Sequence, residues 1–333
     1  MPDRALGAYR ERFREIEWVR SRTIFPRWMV KNEKGSPAMK VRRALITAAA
    51  PDQHMLPLQQ LVDRSGKSKT ALQLILEEVV HAGVEEICVV IQPGDQDEYR
   101  RAAGDQVERL LFVEQLEPRG YGHALLQARE FVGREPFLHL VGDHLYLSTQ
   151  DRCCARQLME AASLHGCSVS AVQATRETKL PYFGAVGGQL VRGETNLYEV
   201  TKVLEKPTPT LAEQELIIAG LRAGYYLCFF GMHVLTPRIM DLLADMEAMQ
   251  VDVQPSGVGT QRRGGGVQFS AALAQLAQEE KYLALQLDGT RYNIGVKYGL
   301  LMAQLALALH GQDRDAILSE LVELLAAGSL SRN

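Results

Sequence analysis

Residue types able to do chemistry concentrate in the stretch 116–147, LEPRGYGHALLQAREFVGREPFLHLVGDHLYL. Its first half, Pro118-Arg119-Gly120-Tyr121-Gly122-His123-Ala124, is a glycine-bearing turn ahead of a helix-like run over 124–131. Glycines there let the backbone come close to a ligand or adopt positive φ. The second half, Phe137-Leu138-His139-Leu140-Val141, reads as a short buried strand ending at Gly142-Asp143-His144. An ionisable Asp directly after an apolar strand lies at the carboxyl edge of a sheet, where open α/β folds bind ligands. The alternative is an Asp that only caps the next segment. Three further features fall at the ends of apolar runs. The loop after Ala49 and Ala50 suits phosphates, because free N–H groups at a helix start attract anions, although glycine is missing from it. Lys206, ahead of Pro207, can meet a phosphate as a point charge or lie solvated, and Glu205 can accept sugar hydroxyls or pair with a cation. Asn293-Ile294-Gly295 is the last of them.

The elements that must hold these residues alternate from residue 41 onward. Unbroken apolar runs predict buried strands over 44–50, 86–92 and 109–115, with helices over 70–81 and 95–103 between them. This alternation argues an α/β, Rossmann-like, doubly wound sheet, mixed but mainly parallel and flanked by helices. Further on, a helix is expected over 152–165, strands over 167–174, 182–188, 197–204, 224–235 and 282–287, and helices over 213–221, 237–246 and 269–280. The Gly-, Gln- and Arg-rich run 252–266 reads as a mobile loop. Long helices close the chain over 296–310 and 313–327. Residues 1–40 form a distinct N-terminal arm with a charged amphipathic helix over 6–22. The expected division is therefore an arm (1–40), a catalytic domain (41–312) and a C-terminal helix (313–333).

Composition narrows the class of function. The 333 residues are 46% hydrophobic, enough for one large, well-filled core. A net charge of −3 leaves no electrostatic footprint for nucleic acid. No apolar run approaches the roughly 20 residues of a membrane span, and the start lacks a signal-peptide core. The five scattered cysteines predict reduced, mostly buried thiols and a cytoplasmic location.

The order of the motifs resembles the bacterial UTP–glucose-1-phosphate uridylyltransferases, within the sugar-1-phosphate nucleotidyltransferases. The resemblance spans roughly 41–309. It runs from Met55-Leu56-Pro57 and Val84-Glu85-Glu86-Ile87 through Glu114-Gln115, Gly120-Tyr121-Gly122-His123-Ala124 and Gly142-Asp143. It continues with Tyr182-Phe183-Gly184, Val203-Leu204-Glu205-Lys206-Pro207, Leu227-Cys228-Phe229-Phe230-Gly231 and Arg291-Tyr292-Asn293-Ile294-Gly295. The resemblance implies a nucleotidyltransferase or GT-A-like sheet. It places Ala49, Ala50, Gln115, Gly120 and Gly122 at the nucleotide, and Gly184, Glu205 and Gly231 at the sugar. Lys206 would meet the sugar phosphate, and Asp143, with Asn293 at the second metal position, would hold Mg²⁺. The implied reaction is attack of a sugar 1-phosphate on the α-phosphorus of UTP, giving UDP-glucose and pyrophosphate. Relatives of this kind form dimers or tetramers, so a homo-oligomer is implied too.

Departures from the family pattern cluster in one loop. Its G-x-G-T-R signature stands here as Ala50-Pro51-Asp52-Gln53-His54. His54 replaces the arginine, Asp52 adds a negative charge, and Pro51 removes a backbone donor. At an effective dielectric of about 20, such an exchange beside a triphosphate amounts to several kcal/mol. Asn293 is a neutral and poorer Mg²⁺ ligand than aspartate. Two readings follow: an active transferase with a remodelled loop, in which His54 acts for the arginine and its charge state governs the rate, or a silent relative that binds a nucleotide or sugar nucleotide as a sensor.

Overall fold

The computed structural model describes residues 39–251 and 267–330. Residues 1–38 of the expected arm and the loop over 252–266 lie outside the described residues. The first strand, β1 (Arg43–Thr47), shows why a sheet forms here: Ala44 and Ile46 face one hydrophobic cluster, while Leu45 faces another. The next strand along, β4 (Glu86–Ile91), repeats the pattern, with Ile87, Val89 and Ile91 on the first face and Cys88 and Val90 on the second. Strands buried on both faces read as unbroken apolar runs, which is how they appear in the sequence.

Nine strands form the central sheet in the order β5-β4-β1-β6-β11-β8-β12-β10-β9. Of these, β5 (Leu110–Glu114), β4, β1 and β6 (Phe137–Val141) are parallel throughout. Then β11 (Tyr225–Leu235) enters antiparallel between β6 and β8 (Ser168–Arg176). Strand β12 (Tyr282–Gln286) lies parallel to β8, and β10 (Leu197–Leu204) and β9 (Ala185–Leu190) finish the sheet antiparallel. The parallel half is the doubly wound part. Helices α1 (Ala71–His81), α2 (Gln96–Ala103) and α5 (Cys154–His165) bury Leu72, Ile75, Leu76, Val79, Tyr99 and Leu158 against one face. Helices α3 (Tyr121–Gln127), α7 (Arg238–Val251) and α8 (Phe269–Glu279) bury Leu125, Ile239, Leu243 and Leu273 against the other.

The structure departs from the sequence-based expectation at several elements. The loop over 51–69 contains a hairpin, β2 (Gln60–Val62) with β3 (Ser68–Thr70), ending at Thr70, whose side chain forms a capping box with Gln73 at the start of α1. The helix expected over 124–131 begins earlier, at Tyr121, and a second short helix, α4 (Arg129–Val132), follows α3. The helix expected over 213–221 is instead α6 (Pro209–Glu215): Thr208 accepts from the Leu211 N–H and Pro209 fills the first turn, stronger start signals than the apolar spacing downstream. Asp143 does not cap a helix. It leads into β7 (His144–Ser148), which pairs antiparallel with β13 (Gly289–Asn293). The helix expected from 296 starts at α9 (Gly299–Leu309), because a tight turn precedes it. The last helix, α10 (Arg314–Leu330), is as anticipated.

Candidate active site

The carboxyl ends of the parallel strands open onto one cleft of about 960 Å³, the place where such sheets take ligands. Strand β1 delivers Thr47, Ala49 and Ala50 to it; β6, through Gly142, delivers Asp143. Gly142 donates its N–H to the Thr47 carbonyl at 2.8 Å, and a Cβ there would lie 3.0 Å from that oxygen. A side chain there would crowd β1, so glycine eases the close exit of β6 from the sheet. Asp143 is fastened from two sides. Its backbone carbonyl accepts from the Ile294 N–H at 2.9 Å, and its carboxylate accepts from His144 Nδ1 at 2.8 Å. Burial pushes the Asp143 carboxyl up, but the neighbouring His144, by charge and hydrogen bond, outweighs it and holds the pKa below the ordinary value. The group is ionised at neutral pH. Asn293 ends β13 opposite His144 and lines the same cleft, its amide oxygen accepting from the Gly295 N–H at 2.8 Å.

The turn before α3 forms another wall. Gly120 has φ 101°, a conformation L side chains rarely adopt. Gln115, buried, donates its amide to the Gly120 carbonyl at 3.2 Å and to His123 Nδ1 at 2.9 Å. Gln115 and Gly120 therefore form one preassembled edge of the cleft. Gly122 is placed differently from Gly120: it is absent from the cleft lining and packs behind it, its N–H on the Val267 carbonyl at 2.9 Å. A Cβ there would lie 2.7 Å from that oxygen, so its glycine serves packing.

The remaining wall carries Gly184, Glu205, Lys206 and Gly231. A side chain at Gly184 would begin 3.1 Å from a Glu205 carboxylate oxygen, so its absence leaves room for that group. Gly231, with φ 82°, sits where β11 shifts register between Phe229 and His233. Such a bulge turns the strand beside a site. Lys206 also has positive φ, 44°, and its ammonium lies 3.9 Å from Glu205.

His54 does not join this arrangement. It is absent from the residues lining the cleft, and its Nδ1 pairs with Asp95 Oδ2 at 2.6 Å. Asp52 likewise does not line the cleft, whereas Pro51 and Gln53 do. The N–H groups of Gln53 and His54 are spent within the loop, each donating to the Ala50 carbonyl at 2.9 Å.

Among the cleft residues that carried no recognisable role in the sequence are Tyr121, Phe183, His233 and Lys297. The Tyr121 hydroxyl meets Nε2 of the fully buried His139, whose Nδ1 donates to the Leu45 carbonyl at 3.0 Å. Burial lowers the His139 pKa to about 4, so the ring is neutral and Nε2 accepts from the tyrosine. Phe183 is backed by the buried Arg291, whose guanidinium lies 4.0 Å from the ring centre. The FLHLV strand shows a histidine at 139, but only the packing of α3 over the sheet brings Tyr121 to it. Among the described residues, no group of three or more His, Cys, Asp or Glu side chains is placed to enclose a metal ion. No helix among them is long and apolar enough to cross a membrane.

Comparisons with known proteins agree with this geometry. The chain is 28% identical over 313 residues to the UTP–glucose-1-phosphate uridylyltransferase of Streptococcus pneumoniae, covering 86% of this chain and 96% of that protein. It is 28% identical over 312 residues to the UTP–glucose-1-phosphate uridylyltransferase 2 of Staphylococcus saprophyticus, covering 86% and 98% respectively. A UDP-glucose pyrophosphorylase solved with UDP-glucose superposes with TM-score 0.63 at 21% identity, over 80% of this chain and 98% of that one. The UDP-glucose pyrophosphorylase of Acinetobacter baumannii gives TM-score 0.63 at 19% identity, over 86% and 100%. Residues 57–253 match the family described as nucleotidyl transferase, more than half of the sequence, and the chain belongs to that family.

Proposed function

We propose that the protein transfers a uridylyl group from UTP to glucose 1-phosphate, releasing pyrophosphate. The observation that carries this reading is the convergence of an ionised Asp143, the Gln115–Gly120 edge and the Glu205–Lys206 pair in a single cleft. An oxygen of the sugar phosphate attacks the α-phosphorus; the new O–P bond forms as the bond to the β-phosphate oxygen breaks, and pyrophosphate leaves with the electron pair. Both partners arrive ionised, so the protein needs to align them and offset charge rather than move a proton.

Within that reaction Gln115 and Gly120 hold the base, with Ala49 and Ala50 along the nucleotide. Glu205, Gly184 and Gly231 receive the sugar, and Lys206 its phosphate. Gly122 supports the nucleotide edge through packing, and His54 acts on the loop rather than on phosphate. Asp143 and Asn293 would hold Mg²⁺. The donor set fits that ion: Mg²⁺ commonly takes one or two carboxylates and fills its remaining positions with substrate phosphates and water. When bound, it supplies charge to the phosphoryl oxygens. We further propose a cytoplasmic homo-oligomer, with residues 1–40 as an arm and 313–333 as a terminal helix.

The test is pyrophosphate release from UTP with Mg²⁺, with and without glucose 1-phosphate. Sugar-dependent release is the expected result. Tight binding of UDP-glucose without any release would overturn the transfer reading and identify a sensor.

A further inference from the structure

We propose that Lys297 is the cation that receives the β- and γ-phosphates of the bound nucleotide, the part that leaves as pyrophosphate. This rests on the transferase reading and supplies a group that reading lacks. A nucleoside triphosphate brings several negative charges into a cleft already holding Asp143 and Glu205. Among the described residues lining that cleft, the lysines and arginines are Lys206 and Lys297 alone. Lys206 stands beside Glu205 and Gly184, on the sugar wall.

Lys297 lines the cleft from the segment that follows β13. The segment that carries it runs directly from Asn293, and Gly295 lies against the loop after β1: a Cβ there would be 3.0 Å from Gln53 Nε2 and from Leu56 Cδ1. That loop brings no cation to the cleft: His54 is engaged by Asp95, the Gln53 and His54 amides by Ala50, Lys69 by Asp63 and Glu77, and neither Arg64 nor Lys67 is among the residues lining the cleft. The Lys297 side chain is exposed and has no carboxylate partner among the described residues. Its ammonium rests 5.0 Å from the Tyr298 ring centre, a contact a phosphate can displace.

The backbone points the same way. Two non-glycine residues in the described chain have positive φ, Lys206 at 44° and Tyr298 at 64°. Strained residues of this kind persist where surrounding structure enforces them, often at ligand sites. Tyr298 closes a tight turn in which the Gly299 N–H bonds the Val296 carbonyl at 2.7 Å, with Lys297 at its corner. One strained position is Lys206 itself and the other directly follows Lys297, and both lysines line the same cleft.

The experiment titrates UTP and UDP-glucose calorimetrically, with Mg²⁺, into the full chain and its Lys297→Ala and Lys297→Arg variants. UTP has the two outer phosphates and UDP-glucose does not. Loss of one charge-assisted contact predicts about ten- to a hundredfold weaker UTP binding for Lys297→Ala, with UDP-glucose changed less than about threefold. Lys297→Arg should recover most of the UTP affinity, and Lys206→Ala should retain more UTP affinity than Lys297→Ala. Equal losses for both ligands, or no loss for either, would overturn the assignment. Wild-type protein that binds UTP without releasing pyrophosphate would sink the transfer reading while leaving Lys297 to be judged on binding; wild-type protein that binds no UTP would sink both.

Discussion

At Asp143, two opposed effects decide the charge, and His144 wins over burial. Replacement by Asn keeps the shape and removes the charge. Turnover in pyrophosphate release should then fall by about a hundredfold or more, because an electrostatic group at the reacting phosphates is lost, while the melting temperature stays near wild type. Retained turnover would show that the charge is not used. His54 calls for the opposite expectation. Its place in the loop suggested a substitute for an arginine, but Asp95, far away in sequence, holds the ring at 2.6 Å. His54→Gln should lower stability by about 1 kcal/mol in denaturant titration through the lost hydrogen bond, and change the sugar-dependent rate little. A large rate loss with unchanged stability would restore His54 to the chemistry. Residue type was readable from sequence in both cases; the partner of the His54 ring was not, since Asp95 belongs to a different loop.

Between elements, the start of α5 shows how one helix is finished by another. Cys153 sits at the cap but its side chain does not cap the helix; Glu78, from α1, accepts the Ala155 N–H at 2.6 Å instead. Burial is the main influence on this carboxyl and raises its pKa from 4.5 to about 7, against the backbone N–H groups of α5, which lower it. The folded chain therefore holds a proton that the unfolded chain has already released. Glu78 contributes stability that is fully present below about pH 4.5 and is lost as pH rises through about 7. Glu78→Gln keeps an acceptor and removes the titration, so its melting temperature should lose the part of the pH slope that wild type shows between those values. An unchanged slope would mean that Glu78 is not its source. Local patterning located α1 and α5, because both have apolar faces at helical spacing; it carried no trace of this cap, which depends on how two helices meet over the sheet. The placement of α6 had a local cause, since Thr208-Pro209 is a start signal written in the chain.

Over the molecule as a whole, the last two helices leave apolar surface uncovered. Leu318, Val322 and Leu325 recur at helical spacing along α10 and are 44%, 59% and 74% exposed; Leu301 and Met302 on α9 are 54% and 53% exposed. Such a stripe fits a contact between copies of the chain. A double change, Val322→Glu with Leu325→Glu, is expected to shift sedimentation toward a smaller species while the uridylyl-transfer rate per chain is kept. An unchanged sedimentation coefficient would remove these helices from any interface.

The sequence by itself determined the parallel half of the sheet, because strands buried on both faces must be apolar throughout and the helices between them must be apolar on one side. It also determined which residue types stand at the strand ends, so Asp143, Gln115, Gly120, Glu205 and Lys206 were all nameable in advance. Only the tertiary structure decided which of them share the cleft. The antiparallel entry of β11 beside β6 and the pairing of β7 with β13 both join segments far apart in the chain. Those contacts depend on which faces pack together, a property of the assembled sheet that no short stretch of sequence contains.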